Sequence, residues 1–101
     1  MEITEVRVYP VDEEKLRAYV TVTLDGCFVV RDLKVIQGAT SLFVAMPAKR
    51  RKDGTFKDVA HPLNAETRER FERTILAAYA LEIQRAPAQR AVGNAAGLHG
   101  G

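Results

Sequence analysis

Residues 16–24 carry the clearest pattern in the chain. Leu16, Ala18, Val20, Val22 and Leu24 alternate with Arg17, Tyr19, Thr21 and Thr23, a period of two that predicts an antiparallel strand with one buried face. Ile3, Glu5, Arg7 and Tyr9 alternate with Thr4, Val6, Val8 and Pro10 in a strand of more mixed polarity, and Pro10 marks a strand end or a sheet edge. Asp12-Glu13-Glu14 forms an acidic turn between these two strands. Asp25-Gly26 is a tight-turn pair, so a third strand returns from Cys27. Alternation fails at Arg31-Asp32 and resumes with Leu33, Val35 and Ile36, which predicts a bulge or brief break near Asp32. Leu42 to Met46 is a continuous apolar run suited to a central strand, and Pro47 ends or bulges it. Asp53-Gly54 signals another hairpin turn, with Phe56 to Ala60 as the return. The expected sheet is an antiparallel meander of about five strands.

The period then changes. Asn64 is a good helix N-cap, and Phe71, Ile75, Tyr79 and Ile83 recur every four residues, with Leu76 and Ala78 widening the stripe. An amphipathic helix over Ala65 to Arg85, packed on the sheet and stopped by Pro87, makes the fold class α+β. Residues 1–85 form one domain. The alanine- and glycine-rich tail, 86–101, has little to bury and is expected to be mobile.

With 101 residues, 47% hydrophobic and 28% charged, the chain can build one modest core and no second one. No apolar run approaches the roughly 20 residues that span a bilayer. The chain opens directly on a strand-like segment, which argues against a signal peptide. Cys27 has no partner for an internal disulfide. Together these features predict a cytoplasmic protein with no membrane partner.

Charge changes the picture more than composition does. Lys49, Arg50, Arg51, Lys52 and Lys57 face only Asp53 and Asp58 between residues 49 and 58, a local balance of +3. The other ten cations and eleven anions sum to −1, so the net +2 resides in this hairpin. Four consecutive cations in a strand put two on each face, and neither pair tolerates burial without partners. The hairpin should therefore stand out as a basic finger with a polyanion as its partner. Arg50 and Arg51 suit phosphate or guanine-edge contacts, Lys49 and Lys52 phosphate, and Phe56 lies close enough to the tip to stack on a base. Phe43, inside the apolar run, reads as core.

Competing sites are weaker. Arg70 follows Glu66 by four residues, and Arg73 follows Glu69 likewise, a spacing that predicts intrahelical pairs and a neutralised helix face. His61 stands alone, Cys27 reads as a small core residue, and no spacing resembles a metal site or a nucleophile with its base. Gly26, Gly38 and Gly54 all belong to turns, so none forms a phosphate loop. The expectation is a non-enzyme with no catalytic residues, no metal and no cofactor.

FVVRDLKVIQG, followed by LFVAMPAKRRKDGTFKDVAHPLNAETR, resembles the SpoVG family of small bacterial regulators (stage V sporulation protein G), and MEITEVRVYPV and TVTLDGCFVV fit the same pattern. The likeness runs from Met1 to about Tyr79. Its specificity lies in the combination of LFVAMP, a basic turn, and the Asp58, His61-Pro62 and Asn64 that follow. The resemblance implies site-selective binding of DNA, RNA or both, a role in gene regulation, and in spore formers a link to sporulation and septation. It also implies a homodimer joined through sheet edges, with Lys49-Arg50 at the position of the family's basic pair. Arg51 and Lys52 gain a role from charge alone, and nothing carries over to the tail. The runner-up reading is a protein-interaction module of the division machinery with no direct nucleic-acid role.

Overall fold

Antiparallel pairing organises the first half of the chain. In the computed structural model, which describes residues 1–95 and their side chains to residue 85, β1 (Ile3–Pro10), β2 (Leu16–Leu24), β3 (Phe28–Gln37) and β4 (Leu42–Ala45) form one sheet in that order. β5 (Ala48–Arg50) and β6 (Phe56–Asp58) form a separate two-stranded ribbon, and α1 (Ala65–Ala95) follows. The α+β class is as predicted. The single five-strand meander is corrected to a four-strand sheet with a detached hairpin.

The turns follow from residue chemistry. Asp25 and Gly26 take φ values of 51° and 65°, and the Cys27 N–H donates to the Leu24 carbonyl at 3.0 Å. Positive φ at both central residues is what a type I′ hairpin turn requires. The predicted irregularity falls where expected. Val20 pairs with Leu33 and Val22 with Val30, so Arg31 and Asp32 together oppose Thr21, and Asp32 has φ 67°. Aspartate tolerates this left-handed conformation better than most residues, so the bulge sits on it. At the β3–β4 loop, a side chain at Gly38 would lie 2.9 Å from the Ser41 carbonyl oxygen and 3.3 Å from the Phe43 ring, which leaves room only for glycine.

β4 is an edge strand, contrary to its central-strand pattern. Pro47 diverts the chain away after Met46, and the Val44 N–H, pointing outward, donates to Glu72 Oε2 of α1 at 3.2 Å. A helix side chain thus covers part of the open edge. α1 is capped as predicted: the Thr67 N–H donates to Asn64 Oδ1 at 2.8 Å and the Arg68 N–H to the Asn64 carbonyl at 3.1 Å. Phe71, Ile75 and Tyr79 bury themselves against Ala18, Val20, Val22, Leu33, Val35, Val44 and Met46, with Leu76 and Ile83 alongside. The helix does not stop before Pro87 but continues to Ala95. Proline withholds one N–H from the helical ladder, whereas the alanines at 86, 88, 91 and 95 favour helix. The mobility expected of the tail concerns, from residue 96 on, positions outside the described residues.

Two expected core residues lie at the surface. Cys27 is exposed because it occupies the tight turn, outside β3. Phe43 is exposed because its run belongs to a sheet covered on one side only: Val44 faces α1, and Phe43 faces away with its partner Ile36.

Candidate nucleic-acid interface

The finger is built from Pro47 outward. Its carbonyl accepts the Val59 N–H at 2.7 Å and closes the base of the β5–β6 ribbon. Ala48 then pairs with Asp58, Lys49 with Lys57, and Arg50 with Phe56. Residues directly opposite share a face, so Lys49 and Lys57 present two ammonium groups on one side. Arg50 and Phe56 occupy the other. Arg51 and Lys52 leave the strand and lie at the turn, so the expected division of four cations two by two gives way to this arrangement.

The turn also differs from the sequence expectation. Gly54 has φ 92° but Asp53 has no positive φ. A two-residue turn centred on Asp53-Gly54 is thereby ruled out. Instead the Arg51 N–H donates to the Thr55 carbonyl at 2.6 Å and the Gly54 N–H to the Arg51 carbonyl at 3.0 Å, enclosing a three-residue loop, Lys52-Asp53-Gly54. Such loops need a left-handed third residue, and glycine supplies it. Asp53 accepts the Thr55 N–H at 3.0 Å and the Thr55 hydroxyl at 2.7 Å. The Asp-x-Thr spacing is the sequence signal of this turn.

These bonds decide what Asp53 does for the finger. The Thr55 hydroxyl, then the Thr55 N–H, hold its carboxyl below the usual range. A depressed carboxyl pKa stabilises the turn above the ordinary value of about 3.9, and the contribution is lost as pH falls through the folded value. The loop should therefore be unchanged from neutral pH down to about 4. The Thr55 amide proton resonance, followed by NMR, is expected to titrate only below that point. A midpoint near pH 5 or above would contradict the assignment.

All residues from Ala48 to Ala60 are exposed, and Phe56 retains 70% of its accessible surface. Among the described residues, ion pairs join Arg7 to Glu5 at 2.9 Å and Arg85 to Glu82 at 3.8 Å. None of Lys49, Arg50, Arg51, Lys52 or Lys57 has one. Lys49 and Lys57 thus face each other across the ribbon without a counter-ion, an arrangement that costs stability in water and favours an arriving anion. Lys49, Arg50, Arg51, Lys52 and Lys57 line a single open groove, so the structure brings five of the six predicted residues together. Phe56 stands beside Arg50 on the ribbon but outside that groove.

The helix arginines behave differently from expectation. Glu66–Arg70 and Glu69–Arg73 form no ion pair among the described residues, because these exposed side chains extend into solvent. Their spacing still interleaves opposite charges along the face. His61 is exposed, with Nδ1 2.9 Å from the Pro62 carbonyl oxygen. Among the described residues, no group of three or more His, Cys, Asp or Glu is placed to hold a metal ion, and no helix is long and apolar enough to cross a membrane.

The SpoVG family profile matches residues 1–81, the whole sheet, the finger and most of the packed part of α1. The chain belongs to the SpoVG family. It is 75% identical over 93 residues to a protein of Anaeromyxobacter sp. (strain Fw109-5) named "Putative septation protein SpoVG", covering 92% of this chain and 96% of that one. A Myxococcus xanthus relative of the same name is 66% identical over 88 residues, 87% of this chain and 89% of its own length. One from Thermoanaerobacter pseudethanolicus is 52% identical over 80 residues, 78% and 87% respectively. The resemblance read from the sequence is thereby shown.

Proposed function

We propose that this SpoVG protein is a nucleic-acid-binding regulator that contacts DNA, RNA or both through the β5–β6 finger and has no enzymatic activity. The observation that carries this reading is the set of five finger cations without ion-pair partners, two of them facing each other across the ribbon. Charge at that density on a small exposed hairpin gains most from a polyanion, whose condensed counterions are released on contact. The word septation in the relatives' name supports a link between the proposed regulation and cell division.

The functional unit proposed is a cytoplasmic homodimer. β1 is an edge strand, and β3 from Phe28 to Leu33 extends beyond the reach of β4, so each copy offers unpaired strand edge to another. Two-fold pairing would remove an edge and present two fingers to one ligand. With about three phosphates met by each finger, log K on duplex DNA should fall against log salt with a slope near −5, at about −0.9 per contact. Fluorescence anisotropy across a salt series measures that slope, and binding insensitive to salt would contradict the reading. Light scattering checks the dimer, which monomeric behaviour at micromolar concentration would exclude.

A further inference from the structure

α1 and the core cover one face of the sheet, and the opposite face is open. Register builds a row across it: Tyr9 lies opposite Tyr19, Tyr19 opposite Lys34, and Lys34 opposite Ala45. Tyr9 is 51% exposed, Tyr19 41%, and Phe43 on the same face 42%. Three aromatic rings at this exposure on one sheet face are more than a wet surface needs, since threonine or lysine would serve there. Two cations of this face, Arg31 and Lys34, have no ion-pair partner among the described residues, whereas Arg7 is held by Glu5.

The open face is continuous with the finger. Val29 and Arg31 line a groove that reaches Arg7 and Tyr9 on the face. The same two residues line a second groove running to Ala48 and Val59 at the finger's base. Val59 then borders the groove that holds Lys49 and Lys57. A single track therefore passes from aromatic rings, past an unpaired arginine, to the cation cluster. Rings gain from bases only when the bases are unstacked, and in a duplex they are not.

We propose that this open face is a stacking platform for a single-stranded nucleic acid, RNA or single-stranded DNA, whose backbone continues past Arg31 to the finger. The proposal rests on the finger reading and adds strandedness and a second surface to it. Tyr9 and Tyr19 stack on bases, Arg31 and Lys34 meet the backbone between them and the finger, and duplex engages the finger alone.

Fluorescence anisotropy on the full chain tests this with three labelled probes of about 16 nucleotides, oligouridine, oligothymidine and a duplex. The Tyr9→Thr/Tyr19→Thr double variant, which keeps residues that suit an exposed strand, should bind single strands on the order of tenfold more weakly or worse. Its duplex affinity and its salt slope should equal the wild type's. Tyr9→Phe/Tyr19→Phe should restore single-strand binding, which separates stacking from hydrogen bonding or misfolding. Lys49→Ala/Lys57→Ala should weaken all three probes and flatten the slope. The oligouridine and oligothymidine arms decide between RNA and single-stranded DNA. Unchanged single-strand affinity in a folded threonine double variant would overturn the platform and leave the finger standing, as would wild-type binding to duplex alone. Equal losses on duplex and single strands would overturn it too. So would a change of oligomeric state in that variant by light scattering, which would make the face a contact between copies. Wild-type protein that bound none of the probes would overturn both readings.

Discussion

Replacing Lys49, Arg50, Arg51 and Lys52 together with alanine is expected to lower duplex affinity by at least about a hundredfold at moderate salt. The salt slope should flatten by up to about 2.7 for each finger, about 0.9 for each of the roughly three phosphates it meets, so that little of the dimer's slope near −5 remains. The fold should survive, because these side chains are exposed and have no ion-pair partner. Surface changes of this kind usually alter stability by no more than about 0.5 kcal/mol. Removing Lys49 from its place opposite Lys57 relieves a like-charge contact, so the melting temperature should hold or rise slightly. Anisotropy and thermal denaturation on the same preparation separate the two effects. Lost binding with a lowered melting temperature would point to a structural role for the finger instead.

The largest stability effect is expected at Ile75. This side chain is fully buried at the centre of the helix stripe, between Phe71 and Tyr79 and against the sheet. Ile75→Ala removes apolar contacts and leaves a cavity, and such changes cost about 2–5 kcal/mol. In a domain of this size that lowers the melting temperature by roughly 8 °C or more. Leu81→Ala is the control on the same helix, because Leu81 is exposed, and it should cost no more than about 0.5 kcal/mol. Equal shifts for the two variants in thermal unfolding would mean that α1 does not pin the sheet through this stripe. The finger is closed by its own bonds at Pro47 and Arg51, so duplex affinity of folded Ile75→Ala should match the wild type.

The sequence disclosed most where one face of an element is buried and the other wet. Val20 and Val22 against Tyr19 and Thr21 disclosed which face of β2 is buried, and the loss of phase at Arg31-Asp32 disclosed the bulge. Asn64 disclosed the helix start because its side chain has a single geometric task. An apolar run is ambiguous between burial on both faces and burial on one. Leu42 to Met46 looked central, yet the helix covers one side only, so Phe43 emerges on the other and Glu72 completes the edge. Pro47 and the helix together decide that outcome, and no local pattern within the run records it. Pro87 misled in the opposite direction, since a single missing donor was outweighed by the alanines around it.

At the site, clustering of charge was legible by counting, whereas its arrangement was not. Which cations share a face depends on the length of the turn, and Thr55 set that length by drawing Asp53 into the loop. The result placed Lys49 opposite Lys57 and moved Arg51 and Lys52 to the tip. The open sheet face was also beyond the pattern, because Tyr9 and Tyr19 become neighbours only through strand pairing.

Amide chemical-shift mapping tests the central claim most directly. Titrating a nucleic acid into isotope-labelled protein should shift resonances from Ala48 to Val59 first and furthest, with the buried stripe of Phe71, Ile75 and Tyr79 unmoved. Shifts gathered on the exposed arginines of α1, at Arg68, Arg70 and Arg73, with the finger silent, would contradict it.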